Sequence, residues 1–187
     1  MAKVLYLIGG APRAGKSILA RRILEERKIA YFPTDVLMMG LAKAMPEFAL
    51  RPADPAPTRA PIMWPILREM AVTILENGED YLLEGDVLMP IHVVELRASF
   101  ASAVRACFIG YENVDSLAKV RDIRQHEAGR QEWTNDCDDS HLLRIVEEFK
   151  ISSRELRTEC SKYQLAYFDG SDDLFAAVAQ AAAYLRG

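Results

Sequence analysis

The stretch Gly10-Ala11-Pro12-Arg13-Ala14-Gly15-Lys16-Ser17 constrains this 187-residue chain more than any other. Its spacing, Gly-x4-Gly-Lys-Ser, is that of a phosphate-binding loop (P-loop), and its flanks supply the context such a loop needs. Val4-Leu5-Tyr6-Leu7-Ile8 is a continuous apolar run, as expected of a strand buried on both faces of a parallel sheet. After the loop, Ile18, Leu19, Ile23 and Leu24 recur at helical spacing up to Lys28. Strand, glycine turn and helix in that order aim backbone N–H groups and the positive helix end at phosphate oxygens. Gly10, Arg13, Ala14, Gly15, Lys16, Ser17 and Ile18 are the expected nucleotide contacts. Lys16 is expected to reach the β- and γ-phosphates, and the Ser17 hydroxyl to ligate Mg2+.

The rest of the chain continues the alternation. Strands are predicted at 29–32, 81–84, 103–109 and 165–168, the last ending at Asp169-Gly170-Ser171. Helices are predicted from Asp35 to Met45, from Pro90 to Phe100, from Ser116 to Glu127 and from about Ser140 to Tyr163, with an Ala-rich one closing at Leu185. The segment 46–61 holds five of the nine prolines and reads as a long surface loop on the substrate side. A helix opened by Pro61 then runs to Asn77, with Pro65 in its first turn or at a kink and Gly78 as its cap. Alternating strands and helices predict an α/β fold, a parallel sheet covered on both faces, in one domain spanning 1–187.

Ligands of such sheets bind beyond the carboxyl ends of the strands, and three predicted ends carry acids. Asp35 follows the second strand, Glu84 and Asp86 the third, Asp169 the fifth. A magnesium–triphosphate site needs a carboxylate for the metal, for which Glu84 or Asp86 is suited. Asp35 is the better base for an acceptor hydroxyl, with Asp86 and Arg59 placed to bind that acceptor. Each aspartate has a competing role as a helix N-cap, and for Asp169 capping is favoured. Gly170 and Ser171 lie where the nucleotide base is expected.

Arg121 and Arg124 sit three apart on one helix face and suit the charge of a transferred phosphoryl group, as a lid over about 115–138 would require. Their plainer role is a solvated face paired with Asp122 and Glu127. Arg51, Arg59 and Arg68 flank the proline-rich segment and suit an anionic acceptor. His92 reads as a surface residue, and the acidic run Asp136 to Asp139 as the cap of the long helix.

A formal net charge of −4 weighs against a nucleic-acid partner, which needs a basic footprint. Three cysteines without paired spacing read as reduced thiols, and no apolar run is long enough to cross a membrane, so a cytoplasmic location is expected. The absence of an Asn/Thr-Lys-x-Asp tetrad favours ATP over GTP. Oligomeric state is not encoded legibly.

These residues together resemble the P-loop small-molecule kinases of the nucleoside monophosphate kinase-like group. The resemblance is carried by Gly9 to Ser17, Asp35, Leu83-Glu84-Gly85-Asp86, the Arg121/Arg124 pair and Asp169-Gly170-Ser171. It implies a three-layer α/β/α sandwich with a five-stranded parallel sheet of order 2-3-1-4-5 and a short helical lid. It also implies ATP as phosphoryl donor, lid arginines on the transferred phosphate, and the turn after the fifth strand near adenine. Adenylate kinases have Asp-Gly-Phe-Pro-Arg after the third strand. This chain has Glu84-Gly85-Asp86-Val87-Leu88, without the arginine that grips a nucleotide phosphate. An acid at Asp35 with another at Asp86 looks more like the hydroxyl kinases of the chloramphenicol phosphotransferase type. Gly9-Gly10-Ala11-Pro12-Arg13 and Glu84-Gly85 resemble 2-phosphoglycerate kinase-like and zeta-toxin-like proteins. The expectation is a kinase of an unidentified small-molecule hydroxyl. An ATP-binding regulator with slow hydrolysis, and a kinase of nucleotides or nucleic-acid ends, stand as alternatives.

Overall fold

A computed structural model of the chain describes residues 3–127 and 137–187. Its five strands are β1 (Leu5–Gly10), β2 (Ala30–Pro33), β3 (Tyr81–Glu84), β4 (Val104–Gly110) and β5 (Ala166–Asp169). All pair in parallel, in the order β2-β3-β1-β4-β5. The helices are α1 (Lys16–Arg27), α2 (Thr34–Ala44), α3 (Ala56–Asn77), α4 (Pro90–Phe100), α5 (Ser116–Glu127), α6 (Asp139–Lys162) and α7 (Leu174–Arg186). The sequence-based fold class and strand order are those observed, with most element ends shifted by one or two residues.

Strand β1 explains the layering. Leu5 and Leu7 point into a core shared with Met63, Leu67, Leu83, Val93, Leu96 and Phe108. Tyr6 and Ile8 point into the other, against Leu19, Ile23, Ile109, Val178 and Leu185. Alternate side chains of a strand face opposite ways, so two helical layers need a strand that is apolar at every position. One layer is α1 with α7; the other contains α3, α4 and α6. No helix among the described residues is long and apolar enough to cross a membrane.

The segment 46–61 is not one long loop. Pro46–Phe48 forms a 3-10 turn, and α3 already begins at Ala56. Pro57 lies at its start, while Pro61 and Pro65 lie inside it. A proline deprives the carbonyl four residues earlier of its N–H donor. Here Pro57, Pro61 and Pro65 are all exposed and spaced by four, so they share one face and the carbonyls of Pro57 and Pro61 lie on the solvent side. Water can satisfy them, while Arg59, Ala60, Met63, Leu67 and Ala71 on the opposite face are buried. Burial along one stripe outweighs two missing backbone bonds. Gly78 ends the helix in the left-handed region, φ 66°, in the expected capping role.

Candidate active site

Strands β1 and β3 are neighbours, so the loops beyond Gly10 and Glu84 open at the same edge of the sheet. Gly15 is the N-cap of α1 with φ 88°, and a Cβ there would lie 2.8 Å from Leu174 Cδ1. No side chain caps this helix, so its first N–H groups are left for another acceptor. Ile18 belongs to that first turn, its N–H turned 3.0 Å from the Gly15 carbonyl.

The loop carbonyls are held from behind. Lys16 Nζ donates to Ala11 O at 2.9 Å, Tyr111 Oη to Pro12 O at 3.0 Å, and Lys119 Nζ to Arg13 O at 2.9 Å. Arg13 takes φ 59° without being glycine, a conformation that persists only when its surroundings fix it. Lys119 also lies 4.5 Å from the centre of the Tyr111 ring, and burial holds its ammonium below the usual lysine range. Neither Tyr111 nor Lys119 figured among the sequence candidates. In the structure Lys119 shares the buried stripe of α5 with Val120 and Ile123, where a lysine needs a partner.

Ser17 Oγ donates to Glu84 Oε2 at 3.4 Å, and Tyr31 Oη donates to the same oxygen at 2.9 Å. Glu84 is buried, 6% exposed. Burial first, then the Glu84 charge, push the Tyr31 phenol well above its usual range, so it remains a donor. A hydroxyl facing a carboxylate is a hard oxygen pair, which fits Mg2+.

Asp35 is the second residue of α2 rather than its cap, which falls on Pro33 and supplies no side chain. Burial, then the Asp86 charge, raise its carboxyl above the usual range; Lys16 and Arg59 oppose, and Glu84 adds to the rise. Asp35 is nevertheless solvent-exposed at the carboxyl end of β2, beside the loop that follows β3. Asp86 is not a cap either, since α4 begins only at Pro90. Instead Asp86 Oδ2 accepts from Arg59 Nη2 at 2.7 Å in a pair with side chains 11% and 7% exposed. Gly85 lies between the two acids because a Cβ there would fall 1.7 Å from Thr34 Oγ1.

At the expected adenine end, Ser171 Oγ accepts from Glu112 N (2.8 Å) and Asn113 N (3.0 Å) and donates to Asp169 Oδ1. It ties the loops after β4 and β5 together, while Gly170 N donates to Gly110 O at 2.8 Å. Asp169 does not cap α7; Asp173 does, accepting from Ala176 N. Asp138 caps α6 as expected.

In α5, Arg121 is exposed, and Arg124 donates to Asp139 Oδ1 and the Cys137 carbonyl at the start of α6. Much of the predicted lid, with Arg130 and Trp133, lies outside the described residues. His92 is buried, not on the surface: its ring stacks on Trp64 at 3.9 Å and its Nδ1 accepts from Met89 N. Burial pushes it down to about 4, with the Glu95 charge opposing.

The chain is similar in fold to several solved structures across nearly its whole length. A gluconokinase from Sinorhizobium meliloti 1021 superposes with a TM-score of 0.59 at 17% identity, covering 98% of this chain and 91% of that one. A shikimate kinase from Bacteroides thetaiotaomicron gives 0.60 at 13% identity, covering 98% and 99%. A sugar kinase from Janibacter sp. HTCC2649 gives 0.59 at 15%, covering 98% and 95%. No family model and no curated protein sequence matches the chain.

Proposed function

We propose that this chain is an ATP- and Mg2+-dependent kinase that transfers the γ-phosphoryl group to a hydroxyl of a small molecule. The observation that carries the reading is the position of Asp35 at the start of α2, directly after β2, whose last residue Pro33 pairs with Glu84 at the end of β3; the charges of Asp86, Lys16, Glu84 and Arg59 all act on its carboxyl. A nucleotide-binding loop alone would suit an ATPase equally well; a second, acidic half-site beside it suits an acceptor. Three structures of similar fold are named as kinases, which supports the same reaction class.

In this reading the N–H groups at the start of α1 hold the phosphates, and Lys16 exchanges the Ala11 carbonyl for phosphate oxygens. Ser17 and Glu84 would hold Mg2+, which neutralises phosphate charge when bound. Asp35 accepts the proton of the acceptor hydroxyl as its oxygen bonds to the γ-phosphorus and the bond to the bridging oxygen of ADP breaks. Gly170 and Ser171 border the base through backbone atoms, the Ser171 hydroxyl being engaged. Arg121 and Arg124 stabilise the transferred group once Arg124 exchanges Asp139 for phosphate.

The test is phosphorylation of a small-molecule extract with γ-labelled ATP. Labelled product that requires Mg2+ and Asp35 is expected; ATP binding with no transfer to any acceptor would refute the kinase. A nucleotide-dependent regulator is the second reading. It draws on the shallow apolar groove along α3 formed by Pro65, Ile66, Met70, Ile74 and Tyr81, a surface suited to a partner.

A further inference from the structure

Two hydroxyls from different elements meet on one carboxylate oxygen. Ser17 Oγ, in the first turn of α1, lies 3.4 Å from Glu84 Oε2, and Tyr31 Oη, on β2, lies 2.9 Å from it. The Ser17 contact follows from the P-loop and its place beside β3. The Tyr31 contact does not, because Tyr31 lies outside the loop and 53 residues before Glu84.

The sheet register brings Tyr31 there. Strands β2 and β3 run in parallel with Tyr31 opposite Leu82 and Pro33 opposite Glu84. Side chains two apart on a strand share a face, and registered neighbours point the same way, so Tyr31 and Glu84 lie on one face of the sheet. Tyr31 and Leu82 both pack in the core that contains Leu19 and Ile23 of α1, so this is the face that carries Ser17. From Tyr31, Glu84 stands diagonally across, about 8 Å away between backbones by strand rise and spacing. A tyrosine spans that diagonal. Serine or threonine at position 31 would fall short, and phenylalanine would fill the space without a donor.

Ring and hydroxyl of Tyr31 therefore do separate things. The ring packs against the core under α1, while the hydroxyl reaches a carboxylate that is only 6% exposed. Hydrogen bonds from outside a metal site orient its ligands and tune their affinity.

We infer that Tyr31 is a positioning residue for the proposed magnesium ligand Glu84: its hydroxyl holds Oε2 beside Ser17, so that the carboxylate is already oriented when the metal arrives with the nucleotide. This rests on the Ser17–Glu84 magnesium site proposed above and adds to it a residue from outside the phosphate loop.

The test is calorimetric titration of Mg2+ into the full chain carrying a non-hydrolysable ATP analogue, with the affinity for the analogue itself measured in EDTA. Tyr31→Phe keeps the ring and removes the donor. It should weaken Mg2+ binding by about 10–100-fold, the usual cost of losing an outer partner of a metal ligand, and change metal-free analogue binding less than about threefold. In a Glu84→Gln background the same substitution should add little further loss, because Tyr31 acts through that carboxylate; a merely structural tyrosine would cost the same in both backgrounds. Parent-like Mg2+ affinity in Tyr31→Phe, or a loss that persists in full without the Glu84 carboxylate, overturns this inference and leaves the magnesium site intact. Mg2+ binding in the parent chain that Glu84→Gln leaves unchanged overturns the proposed site and the inference together.

Discussion

Lys119 on α5 donates to the carbonyl of Arg13 at 2.9 Å, fastening a helix 106 residues downstream to the phosphate loop. With Tyr111 on Pro12, two successive loop carbonyls are held by side chains from elsewhere in the chain. Such preorganisation lowers the ordering cost of binding.

Lys119→Met keeps the stem over the Tyr111 ring and removes the donor. A hydrogen bond from a charged group contributes about 1.5–3 kcal/mol, so MgATP affinity should fall roughly tenfold or more. Tyr111→Phe removes a neutral bond worth about 0.5–1.5 kcal/mol and should cost correspondingly less. Isothermal titration with a non-hydrolysable analogue checks both, and unchanged Kd values in the pair would remove the loop-fastening role.

Asp35→Asn should lower kcat by about 10²–10⁴, the usual worth of a general base, with ATP affinity changed less than about threefold. Steady-state kinetics beside nucleotide titration separates the effects. Equal losses in both would mean that Asp35 serves the phosphate loop rather than the acceptor.

In the proposed mechanism Asp35 acts in its ionised form, and burial and Asp86 raise its pKa. The acid limb of kcat/KM should therefore lie above the ordinary carboxylate value of about 3.9, with activity rising as pH rises through it. Because the acids are coupled, the limb belongs to the group. Asp86→Asn removes the like charge that acts most strongly on Asp35 and should move the limb toward lower pH; a stationary limb contradicts the coupling.

The Arg59–Asp86 pair should behave as a buried unit. Removing one partner leaves an uncompensated charge, at about 3–5 kcal/mol. Arg59→Met and Asp86→Leu singly should each destabilise by that order, and the double variant by clearly less than their sum. Chemical denaturation of all four proteins measures the coupling, and strict additivity would show the pair to be incidental.

His92 should make stability fall in acid. Its folded pKa is depressed to about 4, and protonation would break the bond that Nδ1 accepts from Met89 N. Its contribution is present above the unfolded value of about 6.5 and is lost as pH falls from there through about 4. Asp35, with a raised pKa, has the opposite sign: its contribution is present below the unfolded pKa and lost as pH rises through the folded one. Thermal unfolding between pH 7 and 4 should show a shallower decline in His92→Phe than in the parent chain.

The fold was legible because β1, α1 and the capped helices carry local signals: an unbroken apolar run, helical spacing, Gly78 and Asp138 at helix ends. The P-loop and the acids at strand ends were legible for the same reason. The first turn of α3, Ala56 to Ala60, was not, since proline chemistry argues locally against it and only the exposure of Pro57, Pro61 and Pro65 resolves the conflict. Nor were Lys119 and Tyr111, whose partners lie about a hundred residues away in sequence. His92 looked superficial because nothing in the sequence pairs it with Trp64 across two helices.

Under the proposed kinase reading, the bond from Lys16 to the Ala11 carbonyl would make nucleotide capture an exchange rather than an addition. Lys16 gives up one oxygen to gain another, so the number of its hydrogen bonds changes little and the advantage comes from the charge on the incoming oxygen. Discrimination among adenosine mono-, di- and triphosphate should then grow steeply with phosphate count and shrink as ionic strength rises, while the base contributes a nearly salt-independent increment.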